Sequence, residues 1–118
     1  MSYVQGFLIP VPRQNKVAYR EMAELSASIF QDYGATRIVE SWGDNIPDGK
    51  VTDFKRAVKA QDDEAVVFSW IEWPDKATCD AAAQKMETDP RWKEFPDMPF
   101  DGMRMIWAGF EPIFEVKS

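Results

Sequence analysis

A chain of 118 residues with 45% hydrophobic content is sized for one domain, 1–118, and can build a core without metals or disulfides. Its 20 acids against 14 bases give a net charge of −6, a field that opposes phosphate backbones and anionic lipids, so nucleic acid is not an expected partner. Histidine is absent and Cys79 is the single cysteine, which excludes a Ser-His-Asp triad, a Cys-His pair, a histidine general base, histidine-ligated zinc or haem, and an intrachain disulfide.

The longest apolar runs, such as Val66 to Ile71, fall far short of the ~20 residues of a membrane span. The start of the chain carries no basic flank or small-residue cleavage site, so a secretory signal is not expected. With one thiol, the expected setting is the cytoplasm, and no cofactor or metal is expected.

Tyr3–Ile9 alternates as a first strand, with Tyr3, Gln5, Phe7 and Ile9 on one face; Pro10 and Pro12 are expected to end it. From Lys16 to Tyr33 apolar residues recur at helical spacing, with Ala18, Met22, Leu25 and Ile29 as the stripe, Asn15 as N-cap and Gly34 as the C′ residue. Thr36–Gly43 alternates as a second strand that sets Ile38, Glu40 and Trp42 opposite Arg37, Val39 and Ser41. Ile46-Pro47-Asp48-Gly49 has the chemistry of a type I turn. Thr52–Ala60 reads as a short helix capped by Thr52 or Asp53, with an extra strand as the alternative.

Val66–Trp73 is a third strand, apolar on both faces. Asp75 then caps a helix to about Thr88 whose stripe, Cys79, Ala82, Ala83 and Met86, is made mostly of small side chains. Asp89-Pro90 starts a short helical turn, and Met103 to Phe110 gives the last strand. Strand, helix, strand twice over is the α+β, ferredoxin-like βαββαβ order: an antiparallel four-stranded sheet with both helices on one face. The bare face, apolar in three strands, then wants cover, and a second copy is the simplest candidate.

Four blocks, 34–42, 47–54, 66–72 and the tail from Met98, together resemble the bacterial domain-of-unknown-function family DUF1428, over essentially the whole chain. The resemblance implies a homodimeric α+β barrel, in which two sheets close across a two-fold axis. It carries over no catalytic residue. More distant barrel relatives include cofactor-independent monooxygenases and haem-degrading enzymes, and the missing histidine speaks against the second.

Arg104, two residues from Ile106 in an apolar stretch, is either an anchor for an anionic ligand or the ion-pair partner of Asp101, Glu40 or Asp53; the ion pair is the expectation. Glu40 shares its strand face with Ile38 and Trp42 and is the candidate general base if any reaction is catalysed. Trp42, Asp53, Trp70, Asp101, Arg104 and Trp107 are the candidate ligand-pocket residues. The expected role is a homodimeric small-molecule-binding or accessory module. The alternative is a cofactor-independent enzyme, monooxygenase- or isomerase-like, acting on a small aromatic or dicarbonyl substrate with Glu40 as base and Arg104 stabilising an enolate.

Overall fold

Alternating apolar residues in four segments pair into a single antiparallel sheet in the computed structural model, which describes residues 2–118 and leaves Met1 outside. The elements run β1 (Tyr3–Pro12), α1 (Lys16–Asp32), β2 (Arg37–Trp42), α2 (Phe54–Ala57), β3 (Glu64–Trp73), α3 (Lys76–Thr88) and β4 (Ile106–Phe110). Strand order is β2-β3-β1-β4, with Phe7 opposite both Ser69 and Trp107, and Glu40 opposite Ser69. This is a ferredoxin-like α+β fold. No helix of the described residues is long and apolar enough to cross a membrane.

Register places Phe7, Ile9, Val67, Ile71, Trp73, Ile38 and Trp42 on one face. Against them α1 sets Tyr19, Ala23, Ile29 and Tyr33, and α3 sets Cys79 and Ala82, so both long helices cover the same side. Trp73, 1% exposed, is the largest fully buried side chain, and its indole N–H donates to Gln5 Oε1 at 2.9 Å, which satisfies the one polar atom it brings inside.

Several expectations are corrected. β1 continues through Pro10 and Pro12, because the Arg13 amide reaches the Asp63 carbonyl at 2.9 Å and so puts odd-numbered amides toward β3. The even-numbered prolines then face the side where β4 has already ended, at Leu8↔Ile106, and no ladder bond is lost. Asn15 precedes α1 without capping it; its Nδ2 donates instead to the Pro99 carbonyl at 2.9 Å. The buried stripe of α1 is shifted from the expected one, with Ala18 and Leu25 exposed. Gly34 does end α1, at φ 109°, with Ala35 N–H on Phe30 O and Gly34 N–H on Gln31 O, a Schellman pair.

No hydrogen-bonded turn forms at Ile46–Gly49. Asp53 organises this loop: Oδ1 accepts from the Arg56 amide (2.8 Å), capping α2, and Oδ2 from the Gly49 amide (3.1 Å). The open choice for 52–60 thus resolves as helix, and α2 lies on the far side of the sheet from α1 and α3, with Phe54 edge-on to Phe68 at 6.5 Å.

The last strand begins at Ile106, not Met103, because Gly102–Arg104 forms a 3₁₀ turn capped by Asp101. Arg104 is therefore off the strand. Its guanidinium meets Glu64 through both arms (Nη1–Oε1 and Nη2–Oε2, each 2.6 Å), Asp101 at 2.9 Å and the Lys59 carbonyl at 2.9 Å. Glu64 is buried, and the Arg104 contacts hold its carboxyl below the usual carboxylate range.

Two outcomes follow for stability. Gly34→Ala forces a side chain into positive φ and sets its Cβ 2.8 Å from Thr78 Cγ2, so it should cost ~1–2 kcal/mol, a fall of roughly 4–10 °C in the thermal midpoint. Glu64 has a depressed folded-state pKa, so the stability it contributes is present above the ordinary glutamate range and lost as pH falls through that range and below. Glu64→Gln should therefore lower stability by ~2 kcal/mol at pH 7 and flatten the acid limb of a urea-denaturation series run from pH 7 to pH 3. An unchanged acid limb would show that the pair does not act this way.

Candidate functional site

α1 crosses above the edge strand β2, and the small side chains of Ala23 and Ala27 leave space between them. The result is a cleft of about 400 Å³, within the range of small-molecule sites. Ile38, Trp42 and Val67 line it from the sheet; Lys16, Tyr19, Arg20 and Glu24 line it from the helix. Glu40 is the only carboxylate that the sheet brings to it.

Glu40 is held by the helix above and the strand beside it. Tyr19 O–H donates to Glu40 Oε1 at 2.7 Å, and the Ser69 hydroxyl on β3 also bonds the carboxylate. Glu40 is an exposed residue at the sheet edge, yet α1 takes part of the water from its carboxylate and raises its pKa, a rise that the two hydroxyl donors partly offset. Burial and the adjacent Glu40 push the Tyr19 phenol far up, so it stays a neutral donor. At the cleft rim Lys16 Nζ sits 5.4 Å from the centre of the Trp42 ring, a cation–π contact, whereas Arg20 is engaged by Glu24 at 3.0 Å.

Of the six pocket residues expected from sequence, only Trp42 lies in this cleft, beside Glu40. Arg104 pairs with both Asp101 and Glu64. Glu64 precedes Ser69, the partner of Glu40, by five strand positions, or ~17 Å, so Arg104 and Glu40 do not form one site. Asp53 serves the α2 loop. Trp70 lies on the far sheet face, bonded to Glu72 Oε2 at 3.0 Å with Arg37 over its ring. Trp107 stands 63% exposed at the mouth of a second, apolar cavity of about 330 Å³ between α3 and β1, lined by Phe7, Phe30, Trp73 and Met86. Sequence reading missed Tyr19 and Lys16. The signal was the Tyr19, Ala23, Ala27 spacing, one residue out of phase with the larger apolar side chains.

The chain is thus a ferredoxin-like α+β domain with one carboxylate, Glu40, set by the sheet into the cleft under α1. The chain belongs to the family described as "Protein of unknown function (DUF1428)", whose model matches residues 2–102. It is 60% identical over 116 residues to "Uncharacterized protein YbaA" of Escherichia coli strain K12 and of Shigella flexneri, covering 98% of this chain and 99% of those proteins. Among solved structures, "De novo designed protein Foldit4" is similar with a TM-score of 0.45 and 14% identity, over 95% of this chain and 99% of that one.

Removing the Tyr19 hydroxyl takes away a bond that favours the charged form of Glu40, so Tyr19→Phe should raise the Glu40 pKa further. A ¹³C titration of the side-chain carboxyl in both proteins reads this. Because Glu40 binds its proton more tightly folded than unfolded, its ionisation opposes folding as pH rises through its titration. Glu40→Gln should accordingly match the natural protein in stability below the ordinary glutamate range and exceed it at pH 7.

Proposed function

We propose that the protein is a cytoplasmic, bacterial homodimer that binds a small organic molecule in the cleft between α1 and β2. The observation that carries this reading is Glu40: a carboxylate of raised proton affinity, oriented by Tyr19, at the floor of an otherwise mainly apolar cleft. Such a cleft selects a ligand with an apolar or aromatic body for Trp42 and a hydrogen-bond donor for Glu40, while Lys16 at the rim offers a charge to an anionic group. No step of chemistry is needed for a binding or accessory role.

A fragment set screened by ¹H–¹⁵N correlation spectra tests it. Hits should shift the amides of Tyr19, Ala23, Glu40 and Trp42 together, and Trp42→Ala should weaken them by about tenfold or more, the scale of losing one aromatic wall. Hits that map elsewhere, or that bind the variant equally, would remove this site from consideration. Native mass spectrometry of protein from its own host then identifies any copurified molecule.

The raised pKa of Glu40 also favours a second reading, a cofactor-independent enzyme in which Glu40 takes a proton from an activated aromatic or dicarbonyl substrate. Arg104 has no part in it, since Glu64, Asp101 and Lys59 occupy its donors. Lys16 is the cation available to the developing enolate. This reading requires Glu40→Gln to abolish turnover while binding persists.

The homodimer reading rests on the sheet face away from α1 and α3. There Phe68, Ile106 and Phe110 are 48%, 46% and 56% exposed, which is unfavourable for a face left in water. Light scattering should give twice the 13.6 kDa chain mass.

A further inference from the structure

β4 is an edge strand of five residues, and beyond it the chain runs through Glu111–Ser118 without helix or strand. In this stretch Ile113, Phe114 and Val116 are 94%, 83% and 80% exposed. Three large apolar side chains within four residues, none of them placed against the body of the subunit, form an apolar arm without a seat.

The same chain holds an apolar groove without an occupant. On the open sheet face, Leu8, Phe54, Phe68, Ile106 and Phe110 wall a space of about 260 Å³ whose floor includes Gly6 and Ala108, positions with little or no side chain. The arm does not enter its own groove. It leaves from the Phe110 end, where the Phe110 ring already lies 3.2 Å from the position of a Cβ on Gly6.

Charge adds a direction. The segment 48–59, which contributes Phe54 to the groove, carries Lys50, Lys55, Arg56 and Lys59 against Asp48 and Asp53, net +2 in a chain of net −6, with Lys55 paired to Asp48 and Arg56 to Asp53. The arm carries Glu111 and Glu115 against Lys117, net −1. A two-fold axis that sets the two β4 strands antiparallel brings each arm past the Leu8 and Phe54 end of the opposite subunit, next to that basic segment.

We propose that the two subunits exchange these arms, with Pro112–Val116 of each seated in the open-face groove of its partner and Phe114 as the anchor. The inference rests on the homodimer reading and specifies what holds it together. In an extended arm Pro112, Phe114 and Val116 share one side, which turns toward the groove. Glu111 and Glu115 lie on the other side, at the edge nearest the basic loop.

Sedimentation equilibrium on the full chain, a chain ending at Phe110 and Phe114→Asp tests the exchange. Since Phe114 touches little in the single subunit, Phe114→Asp should keep its far-UV dichroism, so a lost dimer is not a lost fold. The full chain should be a dimer, and both variants should dissociate with a constant raised about tenfold or more. p-Benzoylphenylalanine at position 114 should cross-link between chains, to peptides that contain Phe54 or Phe68. A full-length dimer that Phe114→Asp leaves as tight, or cross-links confined within one chain, overturns the arm exchange while leaving the dimer in place. A monomeric full chain overturns both.

Discussion

The Arg104–Glu64 pair is the constraint on which the sheet depends. Between α3 and β4 the chain crosses 17 residues, 89–105, with only short 3₁₀ turns of its own, and β4 is an edge strand that pairs with β1 alone. Arg104 fixes the end of that crossing to the start of β3 with a two-armed bond, while its Nε holds Asp101 and so the cap of the turn that aims the chain at β1. Glu64 cannot lose this partner cheaply: it is buried, and its remaining bond is to the Gln61 amide at 2.7 Å. The desolvation of two charges is offset because four of the five guanidinium N–H groups and both carboxylate oxygens are bonded.

A second tie, at the other end of the crossing, works with it. Asp89 accepts from the Tyr33 hydroxyl at 2.6 Å and pairs with Arg91, which reaches Asp32 at 2.7 Å. Trp92 donates to the same Tyr33 oxygen and packs on Phe30. The C-terminus of α1, the C-terminus of α3 and the entry to the crossing are thereby joined around one phenol, and the buried face of both helices is set relative to the sheet.

The strands were legible because period-two alternation sorts residues by face whether or not a face is covered: Tyr3 to Ile9, Ile38 to Trp42 and Val66 to Trp73 each sort their residues as the register later places them. The Asp75 and Asp89 caps and Gly34 were legible for the same local reason, a side chain or a φ that only one backbone geometry rewards. What failed was non-local. Nothing adjacent to Pro10 announces that β4 stops short of it, and nothing near Arg104 announces Glu64, forty residues away. The stripe of α1 was misplaced because apolar weight favours Leu25 over Ala23, whereas the helix turns Ala23 to the sheet and leaves Leu25 55% exposed. Tyr19, whose hydroxyl bonds Glu40, was hidden with it.

Glu40 stands apart from the other perturbed carboxylates. Glu64, Asp53, Asp75, Asp89 and Asp101 are all held in their charged forms by amides, hydroxyls or guanidinium groups that folding brings to them. Folding brings Glu40 two neutral hydroxyls and no cation, under a helix that removes part of its water, so the fold disfavours its charge. A glutamine there would accept the same Tyr19 bond without that cost, and of the cations on the cleft Lys16 is turned onto the Trp42 ring and Arg20 is paired with Glu24. Local consistency holds across the rest of the sheet and is broken at this position, where a cleft also opens. The fold therefore disfavours charge at Glu40 at the point where the cleft between α1 and β2 opens, the opposite of what it does at Glu64, Asp53, Asp75, Asp89 and Asp101.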